Sequence, residues 1–193
     1  MIAIAPFAMR RFLMAAVLGG AVMVPCGGTY ADPLGLAQSG GGGLEVESDN
    51  GIEWRRNEQV LIARGNAVAK RGNSRVDADE LRALYRDRDG QSEIYRIIAT
   101  GNVKLSSETD VATGDQAIYD IDDAVVVLTG EDLQYKTPTE TLTAEESLEY
   151  WETERMAVAR GNAVAVADDR TLRGDVLTAR FEMGKNGENE LSR

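Results

Sequence analysis

The sequence predicts an all-β protein assembled from repeated strand units, and three observations carry that expectation. The heptapeptide Ala63-Arg64-Gly65-Asn66-Ala67-Val68-Ala69 recurs unchanged as Ala159-Arg160-Gly161-Asn162-Ala163-Val164-Ala165. Apolar residues alternate at period two through four glycines, Gly65, Gly101, Gly130 and Gly161, and no long 3.6-residue stripe occurs. An acidic residue follows a small one at Asp49, Asp79, Asp115, Glu145 and Asp175, at spacings of 30, 36, 30 and 30. Periods in this range mark stacked supersecondary units, none of which can bury an apolar face alone.

Taken in chain order, residues 1–31 come first and hold no acidic side chain. Arg10-Arg11 precedes an apolar run from Phe12 to Val24, followed by Pro25, paired glycines and Thr29-Tyr30-Ala31. That is the plan of a cleaved signal peptide, and the run is short of the ~20 residues that cross a bilayer as a helix. An uncleaved anchor is the alternative. Pro25 stands where a lipoprotein signal would carry a small residue, so Cys26, the one cysteine, is expected to leave with the signal. Residues 32–43 end in Gly40-Gly41-Gly42-Gly43 and read as a flexible leader. Residues 44–193 form the repeat-bearing domain.

Within that domain the residues two and four places from each glycine are apolar, except Asp132 and Gln134 after Gly130. The immediate neighbours Arg64, Asn66, Thr100, Asn102, Thr129, Glu131, Arg160 and Asn162 are all polar. The glycine parity therefore points inward. Two readings of these glycines are open: a bend inside a continuous strand, or a tight Gly-Asn hairpin turn. The unbroken alternation favours the bend, since a hairpin would put Lys70 on the face of Leu61. Gly65, Gly101, Gly130 and Gly161 are thus the expected bends. The inward-facing candidates are Leu44, Val46, Leu61, Leu81, Ile97, Val103, Leu105, Tyr119, Val126, Leu128, Leu177 and Phe181. Near Asp49 and Glu145 the phase slips, and Ile52, Trp54, Leu148 and Tyr150 are expected to be buried. The spacing of Gly90 to Gly101 predicts a further glycine near position 198 as the partner of Gly187, so Glu190 to Arg193 reads as the lead-in to an absent strand. A truncated domain or an open last edge are the two alternatives.

Composition narrows the chemistry. With 21 Lys+Arg against 32 Asp+Glu the formal charge is −11, which repels phosphate backbones and argues against a nucleic-acid partner. The chain has no His, so no Ser-His-Asp triad, Cys-His pair or imidazole metal site can form. Carboxylate pairs such as Asp122-Asp123, Glu145-Glu146 and Asp168-Asp169 fall at expected turns or strand ends, where they are ordinary solvated residues. No Asp-x-Asp-x-Asp-Gly calcium loop and no Gly-x4-Gly-Lys-Ser/Thr loop occurs. The expectation is no catalytic residue, no metal and no cofactor.

The Ala-x-Gly-Asn-x-Val strands, the pairs Gly114-Asp115 and Gly174-Asp175, and Leu44-Glu45-Val46-Glu47-Ser48-Asp49 after a signal peptide resemble the OstA-like family. The resemblance is to the periplasmic lipopolysaccharide-transport members of that family. The resemblance spans Leu44 to Arg193. It implies an open, twisted β-jelly roll of antiparallel strands that is not an enzyme. It also implies that the inward-facing residues shield lipid A acyl chains, with lipopolysaccharide as ligand. The partners it implies are the inner-membrane Lpt complex, the outer-membrane translocon and further copies stacked head to tail through edge strands. A structural or adaptor module of the same superfamily, binding protein partners without lipid, is the alternative.

Overall fold

The computed structural model describes residues 44–183 and 189–191. These lie within one compact unit, residues 31–193. The segments read above as signal peptide and leader lie outside the described residues.

Thirteen strands follow one another with a single 3-10 turn, Arg56–Glu58, among the described residues. They are β1 Glu45–Glu47, β2 Ile52–Arg55, β3 Val60–Arg71, β4 Ser74–Arg88, β5 Gln91–Ser106, β6 Val111–Asp120, β7 Val125–Thr129, β8 Leu133–Lys136, β9 Glu140–Ala144, β10 Ser147–Trp151, β11 Met156–Ala167, β12 Arg170–Met183 and β13 Asn189–Leu191. Every pairing is antiparallel, in the order β1-β3-β4-β5-β6-β7-β10-β11-β12-β13, with β2 on β3, β8 on β6 and β9, and β9 on β11. The fold is a β-jelly roll. The long strands each run through two half-sheets, whereas β1/β2, β7/β8 and β9/β10 each divide into one strand per half. The first half-sheet holds β2, β7, β10 and β13; the second holds β1, β8 and β9.

The corner between the halves is built from backbone geometry. At Gly65-Asn66, Gly101-Asn102 and Gly161-Asn162 both residues have positive φ (77 and 44, 81 and 47, 81 and 44). One extra residue therefore stands against the neighbouring strand: Arg64 and Ala67 face Glu80 and Ala78. This is a β-bulge, and it bends the strand without ending it. Glycine suits the first position because a Cβ at Gly101 would fall onto the carboxylate of Asp79. Asparagine suits the second because it tolerates the left-handed region, and its amide donates to the acid opposite. These bonds are Asn66 Nδ2 to Asp49 Oδ2 at 2.7 Å, Asn102 Nδ2 to Asp79 Oδ2 at 3.0 Å and Asn162 Nδ2 to Glu145 Oε2 at 2.7 Å.

Gly130 departs from the expected bend, because the strand stops there. Thr129 and Gln134 face Gln116 and Thr113, so two extra residues are inserted rather than one. No asparagine follows this glycine; Glu131 N donates to Asp115 Oδ2 at 2.8 Å and Asp132 takes the left-handed conformation. The extra residue flips the parity. Leu133 and Tyr135 turn inward, and Asp132 is exposed.

Candidate functional site

The site is the interior between the half-sheets. One apolar cluster fills it, drawing on every strand from β3 to β11, and both halves contribute. At the bends its residues are small. Ala63 and Ala67, Ala99 and Val103, and Ala159 and Ala163 flank the three bulges, with Ala67 and Ala163 fully inaccessible. Midway along the sheet they are large: Leu128 from the first half and Leu133 from the second approach the same point, where strand β6 has Gly114 and therefore no side chain. Alanine at the bends lets the two halves approach closely, and leucine fills the wider middle.

The inward-facing candidates are distributed through this interior. Leu81, Val103, Leu105, Tyr119, Val126 and Leu128 belong to the buried cluster, and Leu44, Val46, Ile97 and Leu177 pack against it half-buried. Leu61 and Phe181 are half-buried, the latter with its ring centroid 6.4 Å from that of Tyr150. Sequence reasoning missed Val76, Ala78, Ala112, Leu133, Tyr135, Leu142 and Ala144, all of which join or line the cluster. Alternation counted outward from the glycines cannot reach them, because their parity changes at each acidic corner. Ala78 and Leu81 both face inward although three residues apart, with Asp79-Glu80 between them. The small-acidic pair in the sequence was the available signal for that change.

Ile52 and Trp54 correct the expectation that they are buried, each being 53% exposed. Their strand, β2, pairs with β3 alone among the described residues, so the interior row it continues is uncovered there. Trp54 leans on what it has: its indole N–H donates to the Tyr85 hydroxyl at 2.7 Å, and the Arg56 guanidinium lies 4.2 Å from its ring centroid. At the opposite side of the strand order Leu172 on β12 is 61% exposed. Both ends of the interior thus present apolar side chains to solvent.

Ion pairs lie on the outer faces, while two carboxylates reach tyrosines of the interior: Asp110 accepts from the Tyr135 hydroxyl at 3.0 Å and Glu152 from the Tyr119 hydroxyl at 3.4 Å. Glu53, Arg64, Glu80 and Arg82 form a cross-strand chain, and Arg55 adds to it through Glu53. Hydrogen bonds from Arg55 and Arg64 hold the Glu53 carboxyl at about 2. A second group joins Arg86 to Asp122 and Glu93, and Arg96 to Asp120. The Arg96 hydrogen bond holds Asp120 below the usual carboxylate range against its partial burial. Burial raises Glu80 and Glu149 as well, but hydrogen bonds from Arg64 and Arg82 to Glu80, and from Arg160, Trp151 and Ser147 to Glu149, outweigh it and both are net lowered. The carboxylate pairs considered as acid and base lie at turns and corners, exposed, and none enters the interior. Among the described residues no cluster of three metal-ligating side chains exists.

Fold and interior together define a β-jelly-roll protein whose two half-sheets enclose one apolar interior, exposed at both ends of the strand order. The profile of the LptA/(LptD N-terminal domain) LPS transport protein family matches residues 45–146, and the chain belongs to that family. It is a family of transport proteins rather than enzymes. The matched region spans β1 to β9, while β11 repeats the heptapeptide of β3 beyond it. Among solved structures, LptH of Pseudomonas aeruginosa, described as the LptA-homologous periplasmic component of the conserved lipopolysaccharide transport device, is similar. The TM-score is 0.52 with 16% identity, over 62% of this chain and 83% of that one. No curated protein sequence matches.

Proposed function

We propose that this chain is a periplasmic lipopolysaccharide carrier, the bridge component A of the Lpt system, which shields lipid A acyl chains between its half-sheets. The observation that supports this reading is the continuous apolar interior with exposed apolar residues at both ends, Ile52 and Trp54 at one and Leu172 at the other. Each methylene removed from water is worth ~0.8 kcal/mol, so an acyl chain has ample driving force to enter. Leu128 and Val103 are nearly inaccessible in this conformation, so entry requires the half-sheets to part. Phosphates and sugars of the lipid stay outside, since the chain is net negative and Arg55, Arg64, Arg82, Arg86, Arg96 and Arg160 are each engaged by a carboxylate. The chain reaches the periplasm through the signal peptide of residues 1–31. Its exposed edges stack on further jelly rolls, on copies of itself and on the inner- and outer-membrane partners.

Site-specific photocrosslinking in cells tests the reading, with the probe at Leu105 or Leu128 on the inner face and at Lys104 or Thr129 on the outer. Lipopolysaccharide adducts from the inner pair alone are expected. The adaptor reading, in which the interior is a dry core and the edges bind only protein, draws on the close packing around Leu128 and Leu133. A folded, exported protein that captures no lipid from any of the four positions would establish it instead.

A further inference from the structure

Farthest from the corners, the two half-sheets end in rows of different chemistry. On the second half the interior row Val76, Leu105, Ala112, Tyr135 and Leu142 is apolar apart from one hydroxyl. Two residues further along each strand, on the same parity, the next row reads Arg71, Ser74, Ser107, Asp110, Thr137 and Glu140. On the first half, two residues beyond Ala83, Tyr119, Tyr150 and Ala179, the last row holds Tyr85, Ile121, Glu152 and Phe181. Their backbone N–H groups donate to the carbonyls of Gln59, Tyr95, Ala124 and Arg155 at 2.8–2.9 Å, so the four stand at one level of the sheet. Glu152 is a carboxylate where its three counterparts are aromatic or aliphatic.

Interior hydroxyls reach both lips. Tyr119, 4% exposed, donates to Glu152 Oε2 at 3.4 Å, and Tyr135 donates to Asp110 Oδ2 at 3.0 Å. Burial and the Asp110 carboxylate, with smaller contributions from Glu140 and Tyr150, push the Tyr135 phenol above its ordinary value, so it keeps its proton at neutral pH. Each bond joins two groups of the same half-sheet, so both pairs persist when the halves part. These four residues belong to β6, β8 and the turns before β6 and after β10, in the middle of the strand order.

The chemistry of this mouth selects its occupant. An ionised carboxylate only accepts hydrogen bonds, so Asp110 and Glu152 call for O–H or N–H donors, which an acyl chain lacks. A phosphate brings acceptors and negative charge and is repelled. A sugar ring carrying hydroxyls and an amide N–H supplies the donors without the charge.

We infer that the mouth seats the acylated amino-sugar ring of the lipid, with Glu152 and Asp110 accepting its hydroxyl and amide protons while its acyl chains pass Tyr119 and Tyr135 into the interior. The inference rests on the carrier reading above and adds the place of the sugar, outside the apolar interior but bound at its lip. Phosphates lie further out, away from the two carboxylates.

Equilibrium binding of two probes to the full chain tests it: a dephosphorylated, acylated glucosamine disaccharide and the methyl ester of the same fatty acid. Glu152→Leu and Asp110→Asn are each expected to weaken disaccharide binding about tenfold, since each loses a hydrogen bond to a charged acceptor, while ester binding stays within about twofold. Glu152→Gln keeps the side-chain shape and reads the same loss should the leucine variant not fold. Glu154→Gln, exposed on the same turn, is expected to change neither probe, and circular dichroism on each variant confirms the fold. A parent that binds both probes, with folded Glu152 and Asp110 variants that leave the ratio of the two affinities unchanged, overturns the sugar seat and leaves the carrier reading standing. A parent that binds neither probe overturns the carrier reading and the seat with it.

Discussion

At the scale of single residues, the corner glycines and the outer-face carboxylates make the sharpest demands. Gly101 and Gly90 have nearly the same φ, 81 and 79, but a Cβ at Gly101 meets Asp79 while one at Gly90 meets nothing within 4 Å. Gly90→Ala is therefore expected to cost about 1 kcal/mol from the backbone alone, and Gly101→Ala about 2–4 kcal/mol from backbone and collision together. Urea denaturation of the two variants reads the difference, and equal losses would mean that the corner is not crowded. Asp120 accepts hydrogen bonds from Arg96 and, at 3.2 Å, from the Asp123 backbone N–H. Asp120→Asn should lose about 1.5–3 kcal/mol, the range for a hydrogen bond to a charged group. The same depression has a pH signature. A carboxyl whose folded pKa is lowered stabilises the fold above its unfolded value, and that contribution disappears as pH falls through the folded value. For Glu53 the window runs from its ordinary value of 4.5 down to about 2. Stability is expected to decline through this range, and a flat profile from pH 5 to 2 would show that the arginine-carboxylate chains contribute nothing.

At the scale of strands, the third corner differs from the other three because two residues, not one, are inserted between β7 and β8. The inward turn of Leu133 follows from that count, and its side chain is nearly inaccessible beside Gly114. Leu133→Ala should cost about 2–5 kcal/mol, and Gln134→Ala on the opposite face less than 1 kcal/mol. The reverse ranking, measured by thermal or urea unfolding, would mean that β8 keeps the parity read from the glycines. The bulges at Gly65, Gly101 and Gly161 serve the opposite end: they keep β3, β5 and β11 continuous while turning each from one half-sheet into the other. Alternation through the glycine was legible because both bulge residues lie between inward positions four apart. The compensating change on the partner strands shows along the chain only as the small-acidic pairs Ala78-Asp79 and Gly114-Asp115, which mark a place but do not say that the phase shifts there.

At the scale of the whole molecule, one apolar interior runs between the half-sheets, and Ile52, Trp54 and Leu172 are exposed at the two ends of the strand order among the described residues. Residues 1–31 are expected to be removed on export, so the mass of the protein recovered from the periplasm should begin at Asp32; retention of the N-terminal segment would instead make the chain a membrane-anchored member of its family. The all-β class, the position of the corners and most of the inward-facing residues can be read along the chain, because strand periodicity and the backbone needs of Gly-Asn are local properties. It also carried the family, through motifs whose order and phase agree. The break at Gly130, the inward turn of Leu133 and Tyr135, and the exposure of Ile52 and Trp54 at an edge come instead from strand pairing. Those outcomes depend on how many residues face a neighbouring strand and on whether a neighbour exists at all. Register and edge position are relations between distant segments, and a period counted along one strand contains neither.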